Sequence, residues 1–206
     1  MPYDRREIEA KFNLQTFEEI RRKLQAVDAR LLTPRSFERN LRFDTPDRSL
    51  HASHQVLRLR LDSRVFLTYK QSHSPERRTE IEFEVVDAEA ARLFLEALGF
   101  EVVFAYEKYR ETFAYQNTLI ALDELPFGRF VEVEGPSLER VEHTSKELNL
   151  AWDERVPQGY MEIFEQLRQR RSLPFQDATF ESCKELEPVS RAELTRDDAN
   201  RGREVS

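Results

Sequence analysis

Cysteine occurs once in this chain, at Cys183. A lone thiol excludes a disulfide framework and a cysteine metal cluster, and it suits a reducing compartment. Glycine is nearly as scarce, with five among 206 residues. No glycine-rich turn runs into Gly-Lys-Ser or Gly-Lys-Thr, which excludes a P-loop nucleotide site. Apolar runs are short throughout. Nothing approaches the roughly 20 residues of a membrane span, and residues 1–6 are too polar for a signal peptide. Histidine appears four times. His51 and His54 lie three apart in a predicted loop with no third soft ligand at a useful spacing, so no zinc site is expected. No Ser or Cys stands in a recognisable nucleophile motif. An excess of basic charge is lacking too: 39 acidic residues against 32 Lys and Arg leave a net charge of −7. A protein that coats nucleic-acid backbones needs the opposite balance. These absences describe a cytoplasmic protein with no membrane partner and no non-specific nucleic-acid partner.

What the chain does contain is charge in alternating order. Glu7-Ile8-Glu9-Ala10-Lys11-Phe12, Val56-Leu57-Arg58-Leu59-Arg60-Leu61, Phe66-Leu67-Thr68-Tyr69-Lys70 and Arg78-Thr79-Glu80-Ile81-Glu82-Phe83-Glu84-Val85 all repeat every second residue. Lys108-Tyr109-Arg110, the stretch 119–123 and Phe130-Val131-Glu132-Val133-Glu134 continue the pattern. Period two with β-branched and aromatic residues predicts strands, and 36–43 is a less regular one. Helices fall between them. Thr16-Phe17-Glu18-Glu19 reads as a capping box, and Asp87 and Ser137 as caps of helices over 88–98 and 138–148. Gly99 supplies a left-handed stop, and 159–170 reads as a further helix. The order Glu-x-Glu strand, capped helix, return strand occurs twice, at 7–37 and 80–106, which hints at a duplication. Residues 1–170 read as one domain. Residues 171–206 read as a charged, partly disordered extension, with Phe175, Phe180 and Leu186 able to dock 172–188.

A solvated sheet face also alternates charged and apolar residues. Here, however, the polar phase is almost entirely Glu, Asp, Arg and Lys, and the signs are sorted by strand. Glu7/Glu9, Glu80/Glu82 and Glu132/Glu134 are acidic pairs; Arg58/Arg60 and Lys108/Arg110 are basic pairs. Like charges two apart on one face repel, so stability alone would mix them. An α+β fold solves this when helices cover the apolar face from outside and the charged face curls inward as a closed antiparallel β-barrel. Charges withdrawn from water must then be matched. Polyphosphate suits the Arg and Lys; Mg²⁺ or Mn²⁺ suits the carboxylates and bridges to phosphate oxygens.

The ordered set Glu7-x-Glu9-x-Lys11, Arg58-x-Arg60, Thr68-x-Lys70, Arg78-x-Glu80-x-Glu82, Lys108-x-Arg110, Asp123 and Glu132-x-Glu134 resembles the CYTH, or triphosphate tunnel metalloenzyme, family. The likeness spans about residues 5–168. It includes Phe43-Asp44-Thr45-Pro46, similar to a segment of class IV adenylate cyclases, and Gly159-Tyr160 where many members have Ser-Tyr. The resemblance implies an eight-stranded tunnel. It implies Lys11, Arg58, Arg60, Lys70, Arg78, Lys108 and Arg110 as the triphosphate clamp. Glu7, Glu9, Asp123, Glu132 and Glu134 become metal ligands, while Lys11, Glu80 and Glu82 serve the reaction. Expected substrates are tripolyphosphate, thiamine triphosphate or ATP, hydrolysed with Mg²⁺ or Mn²⁺. Cyclisation of ATP to cyclic AMP, and binding of nucleotide or polyphosphate without turnover, are the competing readings. Self-association as a homodimer stays open.

Overall fold

The computed structural model describes residues 8–74 and 77–195, with side chains outside 73–78 and 195. Glu7, the side chain of Arg78, and residues 196–206 therefore lie outside what it describes. Each alternating segment is a strand. They are β1 (Ile8–Leu14), β2 (Arg30–Asp44), β3 (Gln55–Leu61), β4 (Val65–Ser74), β5 (Arg77–Val85), β6 (Glu101–Tyr115), β7 (Thr118–Leu125) and β8 (Gly128–Gly135). All pair antiparallel in one sheet of order β1-β8-β7-β6-β2-β3-β4-β5. The two central strands are 15 residues each, much longer than the segments legible in the sequence. The halves correspond as the duplication hint suggests: β1 to β4 with helices after β1 and β2, then β5 to β8 with one after β5, and each half's first strand pairs with the last strand of the other half.

Of the expected closed barrel the eight-stranded antiparallel sheet is present, but among the described residues β1 and β5 end the strand order without pairing, so the sheet is not closed by backbone hydrogen bonds. A helix covers one end of the charged face.

The helices are α1 (Glu18–Ala26), α2 (Ser49–Ala52), α3 (Ala88–Ala97), α4 (Leu138–Glu147), α5 (Tyr160–Arg171) and α6 (Arg191–Thr195). The apolar face of β1, β7 and β8 needs shelter, and α1 and α4 give it: Ile20, Leu24, Val141 and Leu148 bury Phe12, Ile120, Leu122, Val131 and Val133. On the other half α3 sets Leu95 against Phe43, Leu57 and Leu59. Leu138, at the start of α4, is half exposed. The predicted capping box does not form, because Phe17 takes the N-cap position and buries its ring in the core. Asp87 does cap α3, accepting from Glu89 N at 2.9 Å and Ala90 N at 3.0 Å. Asp87→Ala is expected to cost about 1 kcal/mol, read as a small shift in a urea midpoint at unchanged slope.

α5 departs from the expectation that all helices pack outside. It lies across the charged face at one end, where Phe104, Tyr106, Leu125 and Phe130 replace charged residues. Phe164 meets Phe104 at 5.8 Å and Phe127 at 5.3 Å between ring centroids. Residues beyond α5 return over this cluster. Phe175 and Leu186 pack against it, and Phe180 sits 5.2 Å from the Tyr109 ring. Ala178 pairs with β6 through two backbone hydrogen bonds of 3.0 and 2.9 Å. Within the extension expected to be partly disordered lies α6, whose Leu194 is buried and whose Glu193 is held by Arg171. Among the described residues no helix is long and apolar enough to cross a membrane.

Candidate functional site

Strand register decides which side chains meet, because directly paired residues share a face. Lys11 lies opposite Glu132, and Glu9 opposite Glu134. Ala121 links Glu132 to the β7 row, where Asp123 pairs with Arg110. Glu38 lies opposite Lys108, and Asn40 between Tyr106 and Arg60. Arg42 pairs with Arg58, Arg58 with Thr68, Thr68 with Glu82, and Lys70 with Glu80. One unbroken row of pairings thus carries Glu9, Lys11, Arg58, Arg60, Lys70, Glu80, Glu82, Lys108, Arg110, Asp123, Glu132 and Glu134 on a single face. Arg78 shares their phase along β5.

The centre of this face is Asp123, with no exposed surface. Its oxygens accept from Arg110 Nε at 2.6 Å, Lys108 Nζ at 3.1 Å and Tyr160 Oη at 2.8 Å. Arg110 also reaches across β7 to Glu132. Lys11 Nζ stands 3.5 Å from Glu132, donates to the Gln158 carbonyl at 3.1 Å, and lies 4.2 Å from the Tyr160 ring centre. On the far half Arg58 and Arg60 reach over β4 to Glu82 at 3.5 and 3.4 Å, and Lys70 meets Glu80 at 2.8 Å. The acids and bases therefore neutralise one another across strands. Donors remain over: Nε of Arg42 and Arg58 is buried without a hydrogen-bond partner among the described residues, whereas Arg60 Nε meets Asp62 at 3.2 Å.

Electrostatics follow from this packing. Burial raises the Glu132 carboxyl, but Arg110, Lys11 and Lys108 outweigh it and hold it well below the usual range. For Tyr160, burial together with Asp123 and Glu132 pushes the phenol well up, so it stays a donor. Burial likewise opposes ionisation of Glu38, yet Lys108, Arg110, Arg60 and Arg58 bring its pKa from 4.5 down to about 2. A lowered carboxyl pKa contributes stability that is complete above the unfolded value and lost as pH falls towards the folded one. Glu38 should accordingly supply up to roughly 3 kcal/mol near neutrality. Denaturation of wild type and Glu38→Gln at descending pH should show their difference shrinking between about 4.5 and about 2; a constant gap would refute this.

Glu38, Asn40, Arg42 and Tyr106 join the site without having been picked out from sequence, and Tyr160 had entered only through the Gly159-Tyr160 resemblance. The signal was present in β2: Phe37, Leu41 and Phe43 alternate with Glu38, Asn40 and Arg42, and only Arg39 breaks the apolar phase. The Tyr160 ring lies in the core while its hydroxyl serves Asp123.

A divalent cation asks for grouped carboxylates. Among the described residues no cluster of three or more His, Cys, Asp or Glu is gathered to hold one. Asp123 already uses both oxygens on Arg110, Lys108 and Tyr160. Glu9 and Glu134, directly opposed on β1 and β8, have the right chemistry: like charges in that position destabilise a sheet, and hard oxygens suit Mg²⁺ or Mn²⁺.

Solved structures share the architecture. A candidate adenylate cyclase from Vibrio parahaemolyticus matches with a TM-score of 0.71 and 22% identity, over 78% of this chain and 98% of that one. A Pyrococcus horikoshii protein matches at 0.67 and 27%, over 76% and 98%. A candidate adenylyl cyclase from Hippeastrum whose dominant activity is that of a triphosphatase matches at 0.55 and 20%, over 77% and 95%. The first and third of these likenesses speak for the fold alone. No curated protein matches the chain. The model of the CYTH domain covers residues 5–182, most of the chain, and with the charged face and its motif order this makes the chain a member of the CYTH family.

Proposed function

We propose that the chain is a divalent-metal-dependent hydrolase of triphosphate substrates, with the triphosphate lying along the charged face as in a tunnel. One observation carries this reading: Lys11, Arg58, Arg60, Lys70, Lys108 and Arg110 share that face, and the buried Nε of Arg58, like that of Arg42 paired with it, has no hydrogen-bond acceptor among the described residues. Phosphate oxygens are acceptors of the right charge, and the planar fork of Arg binds them in pairs. Phosphoryl transfer asks chiefly for positioning and charge neutralisation, which such a row supplies. Lys11 and Arg110 would fix one end of the anion, and Arg58, Arg60 and Lys70 the other. Arg78 is the further clamp member. Glu9, Glu134 and Glu7 would hold Mg²⁺ or Mn²⁺, with Glu132 beside them, and the metal would supply charge neutralisation on the phosphate oxygens. Glu80 or Glu82 would orient the attacking water. The pairing of Glu82 with Thr68 at 2.7 Å fixes one of its oxygens for that task.

The reading is tested by incubating the protein with tripolyphosphate, thiamine triphosphate and ATP in Mg²⁺ or Mn²⁺. Orthophosphate should be the main product from at least one of them. Cyclic AMP as the main product defeats the hydrolase reading, and tight binding with no turnover defeats both enzymatic ones.

A further inference from the structure

Two buried carboxylates face the cations at the middle of the sheet, and they are held in different ways. Asp123 is locked by short, directed hydrogen bonds from Arg110 and Tyr160. Glu38 is not. Its side chain is 7% exposed and its nearest cation, Lys108 Nζ, stands 3.4 Å from Oε2. That oxygen has no hydrogen-bond donor among the described residues. The attraction on Glu38 is a diffuse one from Lys108, Arg110, Arg60 and Arg58 together. Around it, donors are in surplus. Nε of Arg42 and Arg58 and both amide atoms of the fully buried Asn40 lack hydrogen-bond partners among the described residues, while Arg60 Nε faces Asp62 at 3.2 Å. A single carboxylate on a short arm satisfies the charge of this patch but not its hydrogen bonds. A larger anion with more oxygens would satisfy both.

We propose that Glu38 is a built-in counter-anion, holding among Lys108, Arg58 and Arg60 the place that a substrate phosphate takes, and so setting how tightly triphosphate binds. This rests on the triphosphate reading above. In the ligand-free protein the carboxylate keeps four like charges from repelling one another. When triphosphate enters, its oxygens capture the idle donors, and the ionised carboxylate next to them opposes binding. Stability and affinity therefore pull in opposite directions at this position, which a residue serving structure alone would not do.

Glu38→Gln keeps the shape and removes the charge. Titration calorimetry with tripolyphosphate at fixed excess Mg²⁺ should show binding at least tenfold tighter than wild type. KM should fall without a rise in kcat, since the change acts on the bound ground state. The melting temperature without ligand should drop, and saturating tripolyphosphate should raise it by more than in wild type. Glu38→Asp, which keeps the charge on a shorter arm, should fall between the two proteins in affinity, and it carries the test if the Gln variant does not fold. Wild type that binds no tripolyphosphate overturns the triphosphate reading and this assignment together. Wild type that binds while both variants bind equally or more weakly overturns the Glu38 assignment alone.

Discussion

Asp123→Ala should lower the folding free energy by about 3–5 kcal/mol, the largest stability loss expected from a single change on the charged face. Asp123 has no exposed surface, and it is the shared acceptor of Lys108, Arg110 and Tyr160. Lys108 is 1% exposed, and its other counter-ion among the described residues is Glu38, at 3.4 Å. Truncation leaves that ammonium under-compensated inside the protein and strands the Tyr160 hydroxyl as a donor without its acceptor. Breaking a buried ion network from one side is far costlier than replacing it whole. Urea denaturation of the variant gives the number directly. Loss of less than about 1 kcal/mol would show that water or a neighbouring acid makes good the missing charge, and the network described here would be wrong. Asp123→Asn should be milder, because the amide oxygen can still accept from Tyr160.

Lys11→Ala is expected to act the other way, on turnover and hardly on folding. Lys11 stands at the meeting of β1, β8 and α5, with its ammonium 3.5 Å from Glu132 and 4.2 Å from the Tyr160 ring centre. Glu132 keeps Arg110 when Lys11 is removed, so the fold retains its neutralised acid. The triphosphate loses a cation at the end of the clamp. Removal of one such preorganised charge reduces turnover by roughly 10²- to 10³-fold. The check is kcat/KM on whichever triphosphate is hydrolysed, alongside a thermal melt. Wild-type turnover in a folded Lys11→Ala protein would remove Lys11 from the site and leave the clamp without its β1 member.

The strands and their common charged face were legible because period two is read directly from alternation, and sorted acid and base pairs are rare on an ordinary wet face. The central strands were under-read. Arg39 interrupts the apolar phase of β2, and register shifts near Leu31, Thr33 and Ser36 break its pattern. The seam was not legible: charge sorting says that a face is covered, not whether an edge pairing or a helix covers it. α5 supplies part of that cover, and its aromatic stripe gives no hint of which face it will choose. The docking of Phe175, Phe180 and Leu186 was legible as apolar residues in a polar stretch, whereas Glu38 was hidden by lying outside every acid pair.

The position of β1 has a kinetic consequence. Ile8 pairs with Gly135, so the strand bearing Glu9 and Lys11 finds its neighbour only across most of the domain. Pairings this distant along the chain raise contact order and slow folding. The hairpins β3–β4 and β7–β8 can form early from local sequence, while the N-terminal strand must wait for the last strand to emerge during synthesis. Intermediates would hold Arg58, Arg60 and Asp123 yet lack the half of the clamp on β1, which makes phosphate-binding competence a late event in maturation.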